Sequence, residues 1–428
     1  MTTTPEESQI PQTGPLSSLE EDQSFYGEVQ YLDYGGARHL RKAYRIPIDL
    51  LHFNIENGRY ATKFSLLRGA NPGVNINPRE SHWRNEILKM LNGTWEDTAT
   101  GVNTHSDQSH FQDLTEDIEQ RGQERTGIVL EDGGVMSGNR RLAALITLSN
   151  QHPDADRYRY LHAFIVPGEG VSPADTWRLE MSAQMGQGRL LRDYDPVERL
   201  IKIREGVRLL MQTNIHDSEE AAIRVVANDF GSDAATIRKD LQSLKHIDNY
   251  LNAIGRPDHY WLAKDLTEVF TEWEPLEQSM RVNSMPLTDR LRLRTGVYFL
   301  IHNAKADFRL LRDIRGAVGP ARRRRDAQSV PAAVEAITAN APDPQLLEGE
   351  PTEETQDLAA AMRDQFRAEY QAGRPGSVLS KAQRGEANLR AVKEALEVDP
   401  APSGSVTDQL RQSLMSASEF ATESLGLL

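Results

Sequence analysis

Apolar side chains along this chain recur with two periods, and the change from one to the other is sharpest over residues 127–148. Ile128, Val129 and Leu130 form a short β run. Asp132-Gly133-Gly134 supplies residues that tolerate the positive φ of a tight hairpin, and Val135 and Met136 resume the strand. After Ser137-Gly138 the period lengthens, placing Leu142, Leu145 and Leu148 on one face of a helix. A second amphipathic helix is predicted over 196–212, from Val197, Leu200, Ile201, Val207 and Leu210. Its start, Asp195-Pro196-Val197-Glu198, offers Asp as N-cap, Pro at the first helical position and Glu three residues after the cap. Helical stretches are also expected over 113–122, 262–273, 287–301, 308–316, 356–371 and 381–398. Pro342 to Thr355 reads as lacking regular structure. Residues 409–428 carry a weaker apolar period through Leu410, Leu414, Phe420 and Leu425, which predicts a docking or dimerisation helix.

Residues 217–244 read as helix-turn-helix. Asp217 and Glu220 make a capping pair, Ile223, Val226, Ala227 and Phe230 form an inward face, and Gly231 breaks the helix. Ser232 is placed to cap a second helix whose apolar face is Ile237, Leu241 and Leu244. Its outer side would then present Ser232, Thr236, Arg238, Lys239 and Ser243, the side chains expected to contact DNA in a major groove. Asp233 and Asp240 lie on the same helix and would repel phosphate. An ordinary helical hairpin shares this capping and spacing and stays open as the alternative.

A length of 428 residues suits about two or three domains. The formal charge of −14 argues against a protein that coats nucleic acid over its whole surface, but the charge is uneven. Residues 1–24 and 327–428 together hold 21 acidic side chains against 8 basic ones, so the middle of the chain is close to neutral. Arg322 to Arg325 is the one dense basic run, read as a solvated linker or a phosphate contact. There are no cysteines, which removes disulfides, thiolate metal sites and thiol redox chemistry. No long apolar run and no basic-then-apolar leader pattern is seen, so a cytoplasmic protein without a membrane partner is expected. His105 and His110 beside Asp107 lie in a polar insertion, where their spacing is unspecific for metal. The aromatic group Tyr260, Trp261, Phe270 and Trp273 is read as core.

The candidate chemistry gathers at Gly138-Asn139-Arg140-Arg141. A helix that opens after a glycine turn directs free backbone N–H groups and a positive dipole end at the same point as two arginines, an arrangement suited to an anion such as phosphate. Ion pairing of both arginines with neighbouring loops is the plainer reading.

Taken in order, Asn57-Gly58-Arg59, the helix Ile118 to Gly122, the strand Ile128 to Leu130 and Gly138-Asn139-Arg140-Arg141 resemble the ParB/sulfiredoxin-like domain, over roughly residues 40–200. The resemblance implies an α/β (α+β) N-terminal domain binding a nucleoside triphosphate, CTP or ATP, with Mg2+. Gly138, Asn139, Arg140 and Arg141 would meet the phosphates, and Arg59 would line the pocket. The family's Glu-Asn-x-Gln-Arg element is poorly matched, and Glu180, Gln184 and Gln187 are the nearby candidates for metal. The sulfiredoxin branch needs a cysteine where this chain has Asn139.

The resemblance also implies a helix-turn-helix after the nucleotide domain, DNA as partner and a homodimer. The organisation expected is an acidic tail over 1–25, the nucleotide domain over 26–170 and a helical linker with helix-turn-helix over 171–255. A helical domain over 256–330 follows, then an acidic, partly disordered region over 331–428 that offers a surface to a partner protein. Three functions stay open: a nucleotide-switched DNA-binding protein, a ParB-fold ATPase, kinase or nuclease of a mobile-element, DNA-modification or phage-defence system, and a transcription regulator with a decayed nucleotide site.

Overall fold

The computed structural model describes residues 9–55, 61–97, 102–168, 171–185, 195–212, 218–319 and 330–373, with 412, 414 and 415. Its contacts divide the chain into two units, one of Met1–Glu274 with Leu347–Gly349, the other of Pro275–Leu346 and Glu350–Leu428.

The first unit is mixed α/β. A short helix α1 (Glu21–Ser24) leads into strands β1 (Phe25–Tyr34), β2 (Ala37–Pro47) and β3 (His52–Phe53), then helices α2 (Ala61–Ala70), α3 (Ser81–Asn92) and α4 (Gln108–Arg121). Strands β4 (Gly127–Leu130) and β5 (Gly134–Ser137) form the predicted hairpin, followed by α5 (Asn139–Gln151) and β6 (Tyr160–Val166). The sheet order is β1-β2-β6-β4-β5-β3, with β4–β6 and β3–β5 parallel and the other pairs antiparallel. In the hairpin turn Gly133 takes φ 85°, and Asp132 Oδ1 accepts from Gly134 N–H at 2.9 Å.

Both faces of this sheet are covered, and alternate residues of each strand serve opposite layers. Tyr44, Ile46, Val129, Val135, Leu161, Ala163 and Ile165 share a core with Ile87 of α3, Phe111 of α4 and Leu142, Leu145 and Leu148 of α5. Their neighbours Ala43, Ile128, Met136, Phe164 and Val166 pack with Leu32, Tyr34 and Leu179 on the other side. Leu179 belongs to α6 (Pro173–Met185).

Four more helices continue this unit. These are α7 (Pro196–Gln212), matching the predicted bounds, α8 (Glu219–Asp229), α9 (Ala234–Ala253) and the short α10 (Thr267–Thr271). Trp177 of α6 lies directly on the backbone of α7, where a Cβ on Gly206 would fall inside the indole ring. The indole Nε1–H donates to the Lys202 carbonyl at 3.0 Å, so the ring is fixed as well as packed. Phe270 and Trp273 are buried, with ring centroids 6.0 Å apart, so the aromatic group belongs to the core.

The second unit is helical: α11 (Trp273–Val282) crosses into it, and α12 (Leu287–Ala304), α13 (Phe308–Val318), α14 (Pro331–Thr338) and α15 (Glu353–Gly373) follow. Gly296 of α12 admits Ile337 of α14 against its backbone, and Thr355 of α15 donates to Asn303 Oδ1 at 2.6 Å. The stretch from Pro342 to Thr355, expected to lack regular structure, holds a 3-10 turn over Pro344–Leu347 with Leu347 buried, and α15 already begins at Glu353. Thr355 N–H donates to Thr352 Oγ1 at 3.2 Å just inside the start of α15. Arg322 to Arg325, residues 381–398 and most of 409–428 lie outside the described residues. Among the described residues no helix is long and apolar enough to cross a membrane.

Because Gly206 leaves no room between α7 and Trp177, Gly206→Ala is expected to destabilise the protein by about 1–3 kcal/mol. Urea unfolding monitored by tryptophan fluorescence checks this, and an unchanged midpoint would contradict the packing described.

Candidate functional site at the start of α5

Gly138 is the N-cap of α5 and adopts φ 117°, ψ 14°, a conformation that side chains rarely allow. A Cβ there would make only ordinary contacts, so the demand is on the backbone angle. A glycine cap has no side chain to bond the helix start, and the first bond of the ladder runs from Leu142 N–H to the Gly138 carbonyl at 2.8 Å. The N–H groups of Asn139, Arg140 and Arg141 precede it, and the positive end of the helix dipole lies with them.

Two side chains of the same first turn carry further donors. Asn139 is buried at 3 % exposure, and its Oδ1 accepts from Asn54 N–H at 3.1 Å, joining the exit of β3 to α5. That bond fixes the orientation of the amide. Nδ2 is therefore turned away, sealed from solvent and without a hydrogen-bond partner among the described residues. Arg141 reaches the surface in part, yet its Nη1 is sealed and equally unpartnered. Burial, and then the charge of Arg125, hold the Arg141 guanidinium down at about 10, with Glu28 offsetting part of this. Arg140 is half-buried and makes no ion pair among the described residues. Buried donors without acceptors are costly, and a buried cation beside a second cation more so.

Next along the chain, the exit of β3 leads to α2, and α2 is tied to the start of α7. Thr62 Oγ1 donates to Glu198 Oε1 at 2.7 Å, while Glu198 Oε2 accepts from Asp195 N–H at 3.3 Å and Asp195 Oδ1 from Val197 N–H at 3.1 Å. The capping box read from the sequence is present, and its glutamate has a second, long-range bond. Burial raises the Glu198 carboxyl to about 7, with the Thr62 bond opposing the rise.

Glu180, one of the residues expected for metal, does other work. Glu180 is buried against Lys202 Nζ at 2.6 Å, and Glu205 takes the same ammonium at 2.9 Å. Burial works against the charge on Lys202, but these two carboxylates outweigh it and hold the group above its ordinary value. Glu180 is thus half of a buried ion pair rather than an open ligand, a role hidden because Lys202 is 22 positions away. Asp107 is likewise taken by Lys63 at 2.9 Å, which leaves His105 and His110 without it. Among the described residues no group of three His, Asp or Glu side chains is arranged to hold a metal ion. Arg59, Gln187 and the side chain of Gln184 lie outside the described residues.

The helix-turn-helix segment forms α8, a tight turn and α9, packed through Ala222, Ile223, Val226, Ala227 and Ile237. Its caps differ from those expected. Ser218 caps α8, accepting from Ala221 N–H at 3.3 Å, and Asp217 lies outside the described residues. Asp233, not Ser232, caps α9, because the helix starts one residue later and Asp233 then faces the Thr236 N–H at 2.9 Å. Thr236 also donates its hydroxyl to Asp233 at 2.9 Å, and Arg238 is clasped by Glu220 of α8, with Nε 3.1 Å from Oε2. Lys239 is exposed and Ser232 half-buried. Ser243, expected on the outer side, is instead buried, on the same side as Leu244, His246, Ile247 and Tyr250, while Lys245 and Asn249 are exposed. Asp240 is paired with Arg199, which removes the repulsion expected of it.

The chain matches no protein-family model, no curated protein and no solved structure.

With its folded value above the unfolded one, Glu198 binds its proton more tightly in the native state. Its contribution is therefore present below about pH 4.5 and is lost as pH rises to about 7. Wild type should lose about 3 kcal/mol between pH 5 and pH 8 from this group, and Glu198→Gln should flatten that slope. Urea titrations at the two pH values test it, and equal slopes for both proteins would contradict the assignment.

Proposed function

We propose that the α/β part of this chain binds a nucleoside triphosphate by its phosphates at the start of α5, and that the bound nucleotide switches the grip of the α8–α9 pair on DNA. The observation that carries the reading is the pair of sealed donors that have no partner among the described residues, Asn139 Nδ2 and Arg141 Nη1, in the first turn of a helix whose N-cap makes no side-chain bond. Phosphate oxygens would satisfy both, and the backbone N–H groups with them. Arg140 would complete the charge. The resemblance of Gly138-Asn139-Arg140-Arg141 and its neighbours to the ParB/sulfiredoxin-like domain points to CTP or ATP as the ligand. With no cluster of three carboxylate or histidine side chains among the described residues, a magnesium ion would come on the phosphates, as that ion commonly does.

The route from nucleotide to DNA would use two bonds already described, Asn139 to Asn54 and Thr62 to Glu198. A ligand that pulls on Asn139 acts on Asn54 and the exit of β3, and so on α2, whose Thr62 holds Glu198 at the start of α7. From there α7 packs on α8 and α9 in one core, through Ile203, Val207, Ile223 and Ile237. For DNA, Lys239 is ready as it stands. Arg238 would exchange the Glu220 carboxylate for a phosphate, so part of the affinity is spent in breaking that pair.

Calorimetric titration with magnesium CTP, ATP, GTP and UTP is expected to show binding of one or more. Arg140→Ala/Arg141→Ala should weaken it at least about tenfold, the loss expected for a desolvated charge-assisted contact. Binding that survives the double substitution, or no binding by folded wild type, would remove the proposal. On the DNA side, Lys239→Ala should lower affinity uniformly across sequences and reduce the salt slope by about 1. An unchanged slope would take Lys239 out of the interface.

A further inference from the structure

A second cavity, apart from the donors at the start of α5, has walls of a different kind. Its volume is about 400 Å³ and it opens where the first residues of β1 meet β6 and the end of α4. Ile118 and Leu145 give it an apolar floor, and Tyr158 a buried aromatic wall. On the opposite side stand Phe25 and Tyr26, large aromatic residues 41 % and 40 % exposed. Tyr26 is stacked on His162 with ring centroids 3.7 Å apart and 26° between planes. Burial, with Arg45 and Arg141 nearby, holds the imidazole down at about 4, so it is a neutral ring near pH 7. Its Nδ1 is sealed and unpartnered among the described residues.

Two arginines stand at the mouth. Arg45 lies 4.5 Å from the centroid of Tyr160 and pairs with Asp156 at 3.4 Å. Arg157 lies over Tyr158 at 4.6 Å, donates to its hydroxyl, is exposed, and makes no ion pair among the described residues. Flat apolar walls with guanidinium groups at the rim suit a flat ring attached to a negative backbone. On a chain of net charge −14, such a local cationic rim selects its ligand rather than attracting anions everywhere.

We infer that this cavity takes an unpaired base of a single-stranded nucleic acid, with the base between Tyr26 and Tyr158 and the adjoining phosphate on Arg157. A base held in a duplex is stacked on both sides and cannot enter. The exposure of Phe25, Tyr26 and Arg157 leaves the mouth open for a strand to continue past it. The inference stands on its own residues and does not need a triphosphate at α5.

Fluorescence anisotropy of the full chain with a labelled oligothymidylate of about twelve nucleotides tests it. Tyr26→Ala and Arg157→Ala should each weaken binding by about tenfold, as loss of one stacked base or one phosphate contact does. Tyr26→Phe keeps the ring and should bind as wild type. Arg159→Ala, which removes an exposed arginine outside the cavity, should also leave binding unchanged. Thermal melts of the same proteins establish that each is folded. Wild-type affinity in both Tyr26→Ala and Arg157→Ala would overturn the inference, as would an absence of oligonucleotide binding by wild type. Binding of thymidine monophosphate without binding of the oligonucleotide would overturn the single-strand assignment.

Discussion

The amide of Asn139 has two ends, and among the described residues only one of them finds a partner. Its oxygen is committed to the backbone of Asn54, which sets the exit of β3 against the start of α5, while its nitrogen is sealed from solvent with no acceptor among those residues. Burial of polar groups is tolerated when they are paired, and here the pairing fails twice within three residues, at Asn139 and at Arg141. The surroundings make this possible. Helix α5 is held on the sheet by Leu142, Leu145 and Leu148, and Gly138 turns the chain into it with an angle that other residues resist. A rigid support of this kind can hold polar groups in place without pairing them.

The same reasoning relates the site to the rest of its unit. Glu198 is a carboxylate whose burial is offset by a threonine hydroxyl and by the N–H of its own cap. Lys202, one turn on, is neutralised by Glu180 and Glu205. Helix α7 therefore carries two buried ionisable groups, each bonded by a different neighbour: Glu198 by α2 at its first turn, Lys202 by α6 at its second. Trp177 closes on the backbone at Gly206 just beyond. A helix so specified in register cannot slide, and it moves as a body or not at all.

The sequence made some of this legible and left much of it out of reach. Gly138 and the capping box of Asp195 and Glu198 are local features: a glycine needed for its φ, and a cap within four residues. Local chemistry decides both. Strand pairing around the β4–β5 hairpin follows from alternation, and α7 from its apolar period. Partners far along the chain decide the remainder. Thr62 lies 136 positions from Glu198, and nothing in either segment announces the other. Glu180 looked like a ligand because carboxylates bind metal, and only the fold brings Lys202 to it. Ser243 looked exposed because the helix was taken to end sooner and to carry one apolar face, whereas its later turns are covered on more than one side. The caps of α8 and α9 fell one residue from where they were expected, a displacement that helix signals alone do not resolve. The aromatic cavity at the start of β1 depends on a sheet order in which β2 stands between β1 and β6, and that order is not written in any one segment.

The claim on which the account rests is that the donors at the start of α5 await phosphate oxygens. Hydrogen–deuterium exchange, followed by mass spectrometry with and without magnesium CTP or ATP, addresses it at the residues concerned. The account predicts slower exchange in peptides spanning Gly138 to Leu142 when a nucleotide is added, with a smaller effect at the exit of β3. Exchange unchanged in those peptides at saturating nucleotide, or slowed only elsewhere in the chain, would contradict it.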